Sequence, residues 1–313
     1  MDASHLLEIT RSLLARPTAP FHEDQVRAEI HQQLAQMPHV RVEQDAFGNV
    51  IAQYQRGNAT SRFAFAAHMD HPGYVGAEFL GGVPEVYRKK NPPTRDFGPF
   101  AMWDLPAFEL HEDLIYSRAC DDLIGCASIL AMFQELERTG AETSCLGLFT
   151  RAEEVGFVGA IQLAKTGRIS KDVAIVSLET SSERGGPVKM GDGVIVRVGD
   201  RTSIFDTSAT ALLVTLANEA TLPMQRALMQ GGTCEATAYQ LYGYRTAGLC
   251  VALGNYHNCG PDEMIATEYV SLKDVLGMAQ LCVAAATAGE RTDPLIALRE
   301  KLEKGCEKYR AHF

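Results

Sequence analysis

RFAFAAHMD, residues 62–70, is the stretch whose reading decides the fold of this chain. It is a short apolar run, Arg62–Ala67, that ends at His68 and Asp70. A continuous run of this kind fits a strand buried on both faces. Three later runs repeat the arrangement. Cys145–Thr150 (CLGLFT) stops just before Glu153 and Glu154, Val173–Leu178 (VAIVSL) stops at Glu179, and Gly248–Gly254 (GLCVALG) is followed by His257. Helical periodicity fills the intervals, at Asp122–Leu136, Gly156–Lys165, Ser208–Ala220 and Cys234–Tyr242, and a closing helix is expected over Glu268–Ala286. Strands alternating with helices predict an α/β fold with a helix-covered, mostly parallel central sheet.

Outward from this frame, residues 4–16 and 22–36 carry helical periodicity, separated by the breaker Pro17-Thr18-Ala19-Pro20. Strand-like runs follow at Val40–Val42 and Asn49–Tyr54. Residues 72–114 break the rhythm. They hold six of the thirteen prolines and the single tryptophan, and no good helical pattern. The expected organisation is one catalytic domain, residues 1–71 and 115–313, interrupted by a small β-rich insert or cap at 72–114.

The bulk chemistry narrows the class. Asp and Glu number 39 against 29 Lys and Arg, a net charge of −10, and the only short basic cluster is Arg88-Lys89-Lys90. Nucleic acid is therefore not the expected partner, since phosphate binding needs clustered cations. No window approaches the roughly 18 apolar residues of a membrane span, and MDASHLLEIT has neither the basic nor the apolar region of a secretory signal. The eight cysteines lack CxxC spacing, and several lie in apolar runs. They read as reduced thiols of a cytoplasmic protein.

In open α/β sheets the carboxyl ends of the strands form the ligand crevice. His68, Asp70, Glu153, Glu154, Glu179 and His257 all stand at or just past such ends, and Asp121-Asp122 stand at a loop-to-helix junction. So many carboxylates cannot all stay ionised in one crevice without cations between them. A pair of divalent metals resolves the conflict, and mixed His and carboxylate donors suit zinc, cobalt or manganese.

The order of the motifs is more specific than any one of them. HMD at 68–70 is followed by CDD at 120–122 with LIG behind it, AEEVGFVGA at 152–160, SLE at 177–179, GGT at 231–233 and a histidine at 257. Together with the D-x-x-G-N turn at Asp45–Asn49, this series resembles the M42 glutamyl aminopeptidase family of cocatalytic metallopeptidases, related to the M28, M18 and M20 families. The resemblance covers essentially the whole chain, and EEVG-x-x-GA is its most specific element. It implies a zinc-peptidase-like three-layer α/β/α fold and removal of N-terminal residues from peptide substrates with two divalent metal ions per chain, zinc or cobalt foremost and manganese next. It further implies that His68 binds one metal and His257 the other, that Asp121 bridges them, that Glu154 joins His257 and that Glu179 joins His68. Glu153 would be the general base, and Asp70 would stand behind His68 and fix its tautomer. The Asp121–Asp122 peptide would be cis. Gly232 and Thr233 would line the substrate pocket, and the insert would shape that pocket and support homo-oligomers.

The sequence departs from the family pattern at His71, where an acidic residue is usual, and at Glu179, where Asp is common. Each motif also has a plainer reading by itself. Asp122 can simply cap the next helix, a lone Glu-Glu pair is most often a solvated turn, and Gly231-Gly232-Thr233 can be only a helix start. Two rival functions use the same residues: an N-acyl amino acid deacylase or amidase on the same site, and a catalytically silent binding or assembly subunit. A glycosidase with Glu153 and Glu154 as its acid and base is disfavoured, because adjacent residues rarely reach the separation two such carboxylates need.

Overall fold

The stretch 62–70 forms the strand Phe63–His68, all of it buried. The computed structural model describes residues 1–184, 186–290 and 293–313. Within these, the strands in chain order are β1 (Val40–Gln44), β2 (Val50–Gln55), β3 (Phe63–His68), β4 (Gly73–Val75), β5 (Glu78–Leu80), β6 (Thr94–Asp96), β7 (Phe100–Trp103), β8 (Glu109–His111), β9 (Leu114–Ser117), β10 (Ser144–Thr150), β11 (Ala174–Ser182), β12 (Val194–Asp200), β13 (Met224–Met229), β14 (Thr246–Leu253) and β15 (Glu268–Ser271). The helices are α1 (Ala3–Leu14), α2 (Asp24–Leu34), α3 (Glu85–Arg88), α4 (Cys120–Thr139), α5 (Val158–Thr166), α6 (Thr207–Glu219), α7 (Glu235–Leu241), α8 (Leu272–Ala286) and α9 (Pro294–Glu307).

The main sheet has the order β1-β2-β10-β3-β11-β14-β12-β13. β10, β3, β11 and β14 run parallel, and β12 and β13 run parallel to each other. Antiparallel pairs occur at β1–β2, β2–β10 and β12–β14. The fold is thus the mostly parallel α/β arrangement read from the sequence.

Alternation along β3 sorts the two faces. Phe63, Phe65 and Ala67 join the large core under α1, α2, α4, α6 and α8. Ala64 and Ala66 join the smaller core under α5 and α7. The period of two of an extended chain puts successive side chains on opposite sheet faces. His68 continues the Ala64–Ala66 side, so the crevice opens on the α5–α7 face.

The helix ends obey local chemistry. Asp2 caps α1 through the amide of Ser4, and Ser271 caps α8 through the amide of Asp274. α4 stops at Gly140, whose φ of +66° suits a left-handed cap.

The structure differs from the sequence reading in three places. The periodic run from Glu268 does not begin a helix: Glu268–Ser271 form β15, and α8 starts only after the Ser271 cap. β12 and β13 were not announced by periodicity, because arginines interrupt their apolar runs. Residues 73–103 hold a four-stranded antiparallel sheet, β5-β4-β7-β6, plus the short helix α3. Tyr74, Phe79 and Trp103 pack together there, with Tyr74 edge-on to the other two rings at 4.9 and 5.4 Å. The hairpin β8–β9 pairs with β15 in a separate three-stranded sheet.

Candidate metal centre

Strand register lifts the acidic residues to one level. Thr150 pairs with His68, so Arg151–Glu154 lie just past the strand ends. Ser177 pairs with Ala66, which brings Glu179 level with His68 on the neighbouring strand. Asp121 arrives from the junction ahead of α4, through a cis Asp121–Asp122 peptide. Asp122 turns the other way. Its Oδ1 accepts the amide of Gly125 at 3.0 Å, the capping role its sequence position suggests. A Cβ at Gly125 would lie 2.4 Å from that carboxylate, so the position needs glycine.

Asp121 stands between two imidazoles. Its Oδ1 lies 3.4 Å from His68 Nε2 and its Oδ2 lies 3.6 Å from His257 Nε2. Glu154 Oε2 is 3.4 Å from His257 Nε2. Two groups of ligand-type atoms result, each within 4.8 Å: His68, Glu153 and Glu179 in one, Asp121, Glu154 and His257 in the other. The adjacent residues Glu153 and Glu154 thus diverge from the turn that follows β10, one toward each imidazole.

The supporting contacts differ in detail from the sequence expectation. His68 Nδ1 faces the main-chain carbonyl of Asp70 at 3.0 Å, while the nearer Asp70 carboxylate oxygen is 3.6 Å away. The carbonyl is therefore the group that fixes the ring. The Asp70 carboxylate instead accepts the amides of Glu153 and Glu154 at 2.9 and 3.1 Å. It clamps the turn on which both acids stand. His71 is buried, with Nδ1 2.6 Å from the carbonyl of Asp121 and Nε2 3.0 Å from Asn258 Oδ1. It ties the Asp121 loop to the His257 loop. His257 and Asn258 hold φ of +52° and +60°. Such left-handed conformations cost non-glycine residues of order 1 kcal/mol or more.

The charges are mutually strained. Burial and neighbouring acids push the carboxyls of Glu153 and Glu154 well above the ordinary range. Burial lifts Glu179 to about 7. Burial raises Asp121 too, but His68 and His257 outweigh it and pull this carboxyl down. Burial opposes charge on His68, yet Glu153 and Asp121 raise it, whereas burial lowers His257 to about 4. Asp121 Oδ1, Asp122 Oδ2 and Glu154 Oε1 are buried without a hydrogen-bond partner. Desolvated carboxylate oxygens with no donor call for a cation. Two imidazoles among such oxygens form a donor set that fits zinc, cobalt or manganese.

A cavity of about 880 Å³ opens over these groups. Gly232 and Thr233 line it, as do three residues that pattern alone did not single out, Gly82, Tyr256 and Arg201. Gly82 comes from the 72–114 segment. A Cβ there would meet His257 Nδ1 and Cε1 at 3.1 Å. Tyr256 stacks on the His257 ring with centroids 3.9 Å apart. Two further buried acids escaped the sequence reading. Glu268 accepts the amide of Asp121 at 3.1 Å, and burial raises its carboxyl well above the usual range. Glu235, lifted to about 8 by burial, has both oxygens unpartnered. The signal for both was an acid inside an otherwise apolar run.

Fold and crevice together define an α/β protein with a candidate two-cation centre at its strand ends. The family model for M42 glutamyl aminopeptidases matches residues 95–277, more than half of the chain, and the chain belongs to that family. A candidate aminopeptidase from Acetivibrio thermocellus is 27% identical over 183 residues, 56% of this chain and 52% of that protein. The chain spans about half the length, or less, of the curated relatives it matches. The TET aminopeptidase of the marine sediment archaeon Thaumarchaeota archaeon SCGC AB-539-E09 superposes with a TM-score of 0.76 at 19% identity, covering 91% of this chain and 97% of that one. The Pyrococcus horikoshii TET1 peptidase superposes with a TM-score of 0.73 at 20% identity, covering 90% and 99%. At such identity the likeness is one of fold.

Proposed function

We propose that this chain is an aminopeptidase that removes N-terminal residues from peptides and uses two divalent cations. The observation that carries the proposal is Asp121, whose two carboxylate oxygens face two separate imidazoles. His68, Glu179 and Asp121 would hold one cation, and His257, Glu154 and Asp121 the other. Zinc or cobalt suits this donor set best, with manganese third. Bound there, such cations lower the pKa of water and polarise a carbonyl.

Each cation then has three protein donors without Glu153. That carboxylate is left free to take a proton from the attacking water and to return it to the leaving amine, a role that typically contributes about 10²–10⁴-fold. Asp70 positions it by clamping the main chain of Glu153 and Glu154. Gly232 and Thr233 would hold the peptide at the mouth of the cavity. We read residues 1–71 and 115–313 as the catalytic domain and 72–114 as a cap whose Gly82 reaches the centre. The Pyrococcus horikoshii TET1 peptidase assembles into a tetrahedron or an octahedral shell, and we extend homo-oligomer formation to this chain. Its described cysteines are free and mostly buried, which suits the reducing cytoplasm. Among the described residues no helix is long and apolar enough to cross a membrane.

The test is hydrolysis of free-amine aminoacyl 4-nitroanilides before and after chelation, with zinc, cobalt and manganese restored one at a time. Activity that disappears and returns with metal supports the proposal. Folded protein that cleaves none of them with any metal overturns it, and cleavage of N-acetyl amino acids instead would mark a deacylase.

A further inference from the structure

The two cation positions are built from different material. His68 ends β3 and Glu179 lies within β11, so hydrogen-bonded strands fix both. His257 stands instead on the loop after β14, where Asn255, His257, Asn258, Asp262 and Glu263 all hold φ between +52° and +60°. Such conformations persist only where surrounding groups over-determine them. Toward the surface, the Tyr87 hydroxyl donates to the carbonyl of Gly260 at 3.3 Å and Lys90 donates to that of Asp262 at 2.7 Å.

The buried hold on this loop comes from His71 and Glu268, both fully buried, and both also grip Asp121. His71 Nδ1 donates to the carbonyl of Asp121 at 2.6 Å, since a carbonyl can only accept, and its Nε2 meets the Asn258 side-chain amide at 3.0 Å. Glu268 accepts the amide of Asp121 at 3.1 Å and faces the main-chain amide of His257. The N–H and the C=O of Asp121 are thus each bound to a buried side chain that reaches the His257 loop. Asn258 in turn closes that loop, because its carbonyl accepts the amides of Gly260 and Ala266 at 3.1 and 2.9 Å. Buried polar networks of this kind hold a single geometry. The other donor of the His257 position, Glu154, stands on the turn that Asp70 clamps. His71 occupies the position at which the sequence departs from the usual acidic residue.

We propose that His71 is a positioning residue that couples the two cation positions, holding His257 in register with Asp121 so that the loop-built position keeps its donors together. The strand-built position at His68 stands without this latch, and the position at His257 does not. The proposal rests on the two-cation reading of the centre and deepens it.

The experiment follows cobalt uptake by chelated full-length protein, by calorimetry and by cobalt absorption. Wild type is expected to take up two equivalents, and the one missing in His257→Ala identifies the loop-built position. His71→Leu, of similar bulk with no polar atom, is expected to weaken that equivalent about 10–100-fold and to leave the other unchanged. Asn258→Gly, which suits the left-handed backbone, removes the far end of the tie and should act in the same direction. It decides the matter should His71→Leu fail to fold. The double variant is expected to be no weaker than the worse single one, because both substitutions cut one link. Equal weakening of both equivalents, or none in either variant, overturns the proposal and leaves the two-cation reading standing. Hydrogen exchange of the metal-free protein gives a readout independent of uptake. The amides of Gly260 and Ala266 are expected to exchange about tenfold faster in His71→Leu, the scale of one lost buried hydrogen bond, with those of β14 unchanged. Should wild type bind fewer than two equivalents, the two-cation reading fails, and unchanged exchange would overturn the hold of His71 on the loop as well.

Discussion

The Asp45 turn and the crevice around Asp121 are both buried and acidic, yet their carboxylates are in opposite conditions. Asp45 Oδ1 accepts the amides of Phe47, Gly48 and Asn49 at 2.8–2.9 Å, and its Oδ2 accepts the Asn49 side chain at 2.6 Å. Asn49 passes the connection on to Gly159 and Arg151. In the crevice, Asp121, Asp122, Glu154, Glu235 and Glu268 each keep at least one buried oxygen without a partner. A buried acid whose oxygens are filled by main-chain amides holds a turn together. A buried acid with oxygens to spare is a donor waiting for a cation or a proton.

The sharpest way to break this comparison is Asp121→Asn. Activity is expected to fall to the level of chelated protein, with loss of bound metal by elemental analysis. Retained metal and turnover would show that Asp121 is merely structural. Next, Glu153→Gln is expected to lower kcat by about 10²–10⁴-fold with metal content unchanged, and a drop in metal content instead would make Glu153 a ligand. Asp45→Ala should do the reverse of both. It is expected to cost about 3 kcal/mol in urea unfolding, because three amides lose a charged acceptor, with little effect on metal content. Metal loss without destabilisation would erase the distinction.

Added metal is expected to stabilise wild type by about 2.7 kcal/mol at a hundredfold excess over its Kd, seen as a rise in Tm. It should leave the Tm of Asp121→Asn nearly unmoved. The smallest effect concerns an acid outside both regions. Glu135 is hydrogen-bonded to Arg138 and to the Met1 ammonium, and these hold its carboxyl at about 2. Since its folded value is below the ordinary 4.5, its contribution is present above about pH 4.5 and is lost as pH falls toward 2. Glu135→Gln should therefore be less stable than wild type at pH 6, with the gap closing toward pH 2. A gap that is constant with pH would remove the charge from the explanation.

Much of the crevice was legible before any coordinates. His68, Glu153, Glu154 and Glu179 follow apolar runs that fit buried strands, and the carboxyl ends of such strands in a parallel sheet share one crevice. The GN of the Asp45–Asn49 turn was legible too, because a turn's chemistry is local. Glu268 was misplaced because an apolar run of helical period also accommodates a short strand before a Ser cap. Arg197 and Glu235 each interrupt an apolar run, but nothing in the pattern gave them a role. Their meaning depends on which neighbours are missing.

By itself, the sequence determined the helix-covered, mostly parallel sheet and the acids and imidazoles that follow its strands, since these follow from periodicity along the chain. Only the tertiary structure decided that the Asp70 carboxylate clamps the Glu153–Glu154 turn, that Gly82 leans on His257 and that Arg197 faces a cavity. Those relations join residues far apart in the chain. They are set by strand register and by loop conformations, such as the left-handed turn at His257, that the packed core imposes.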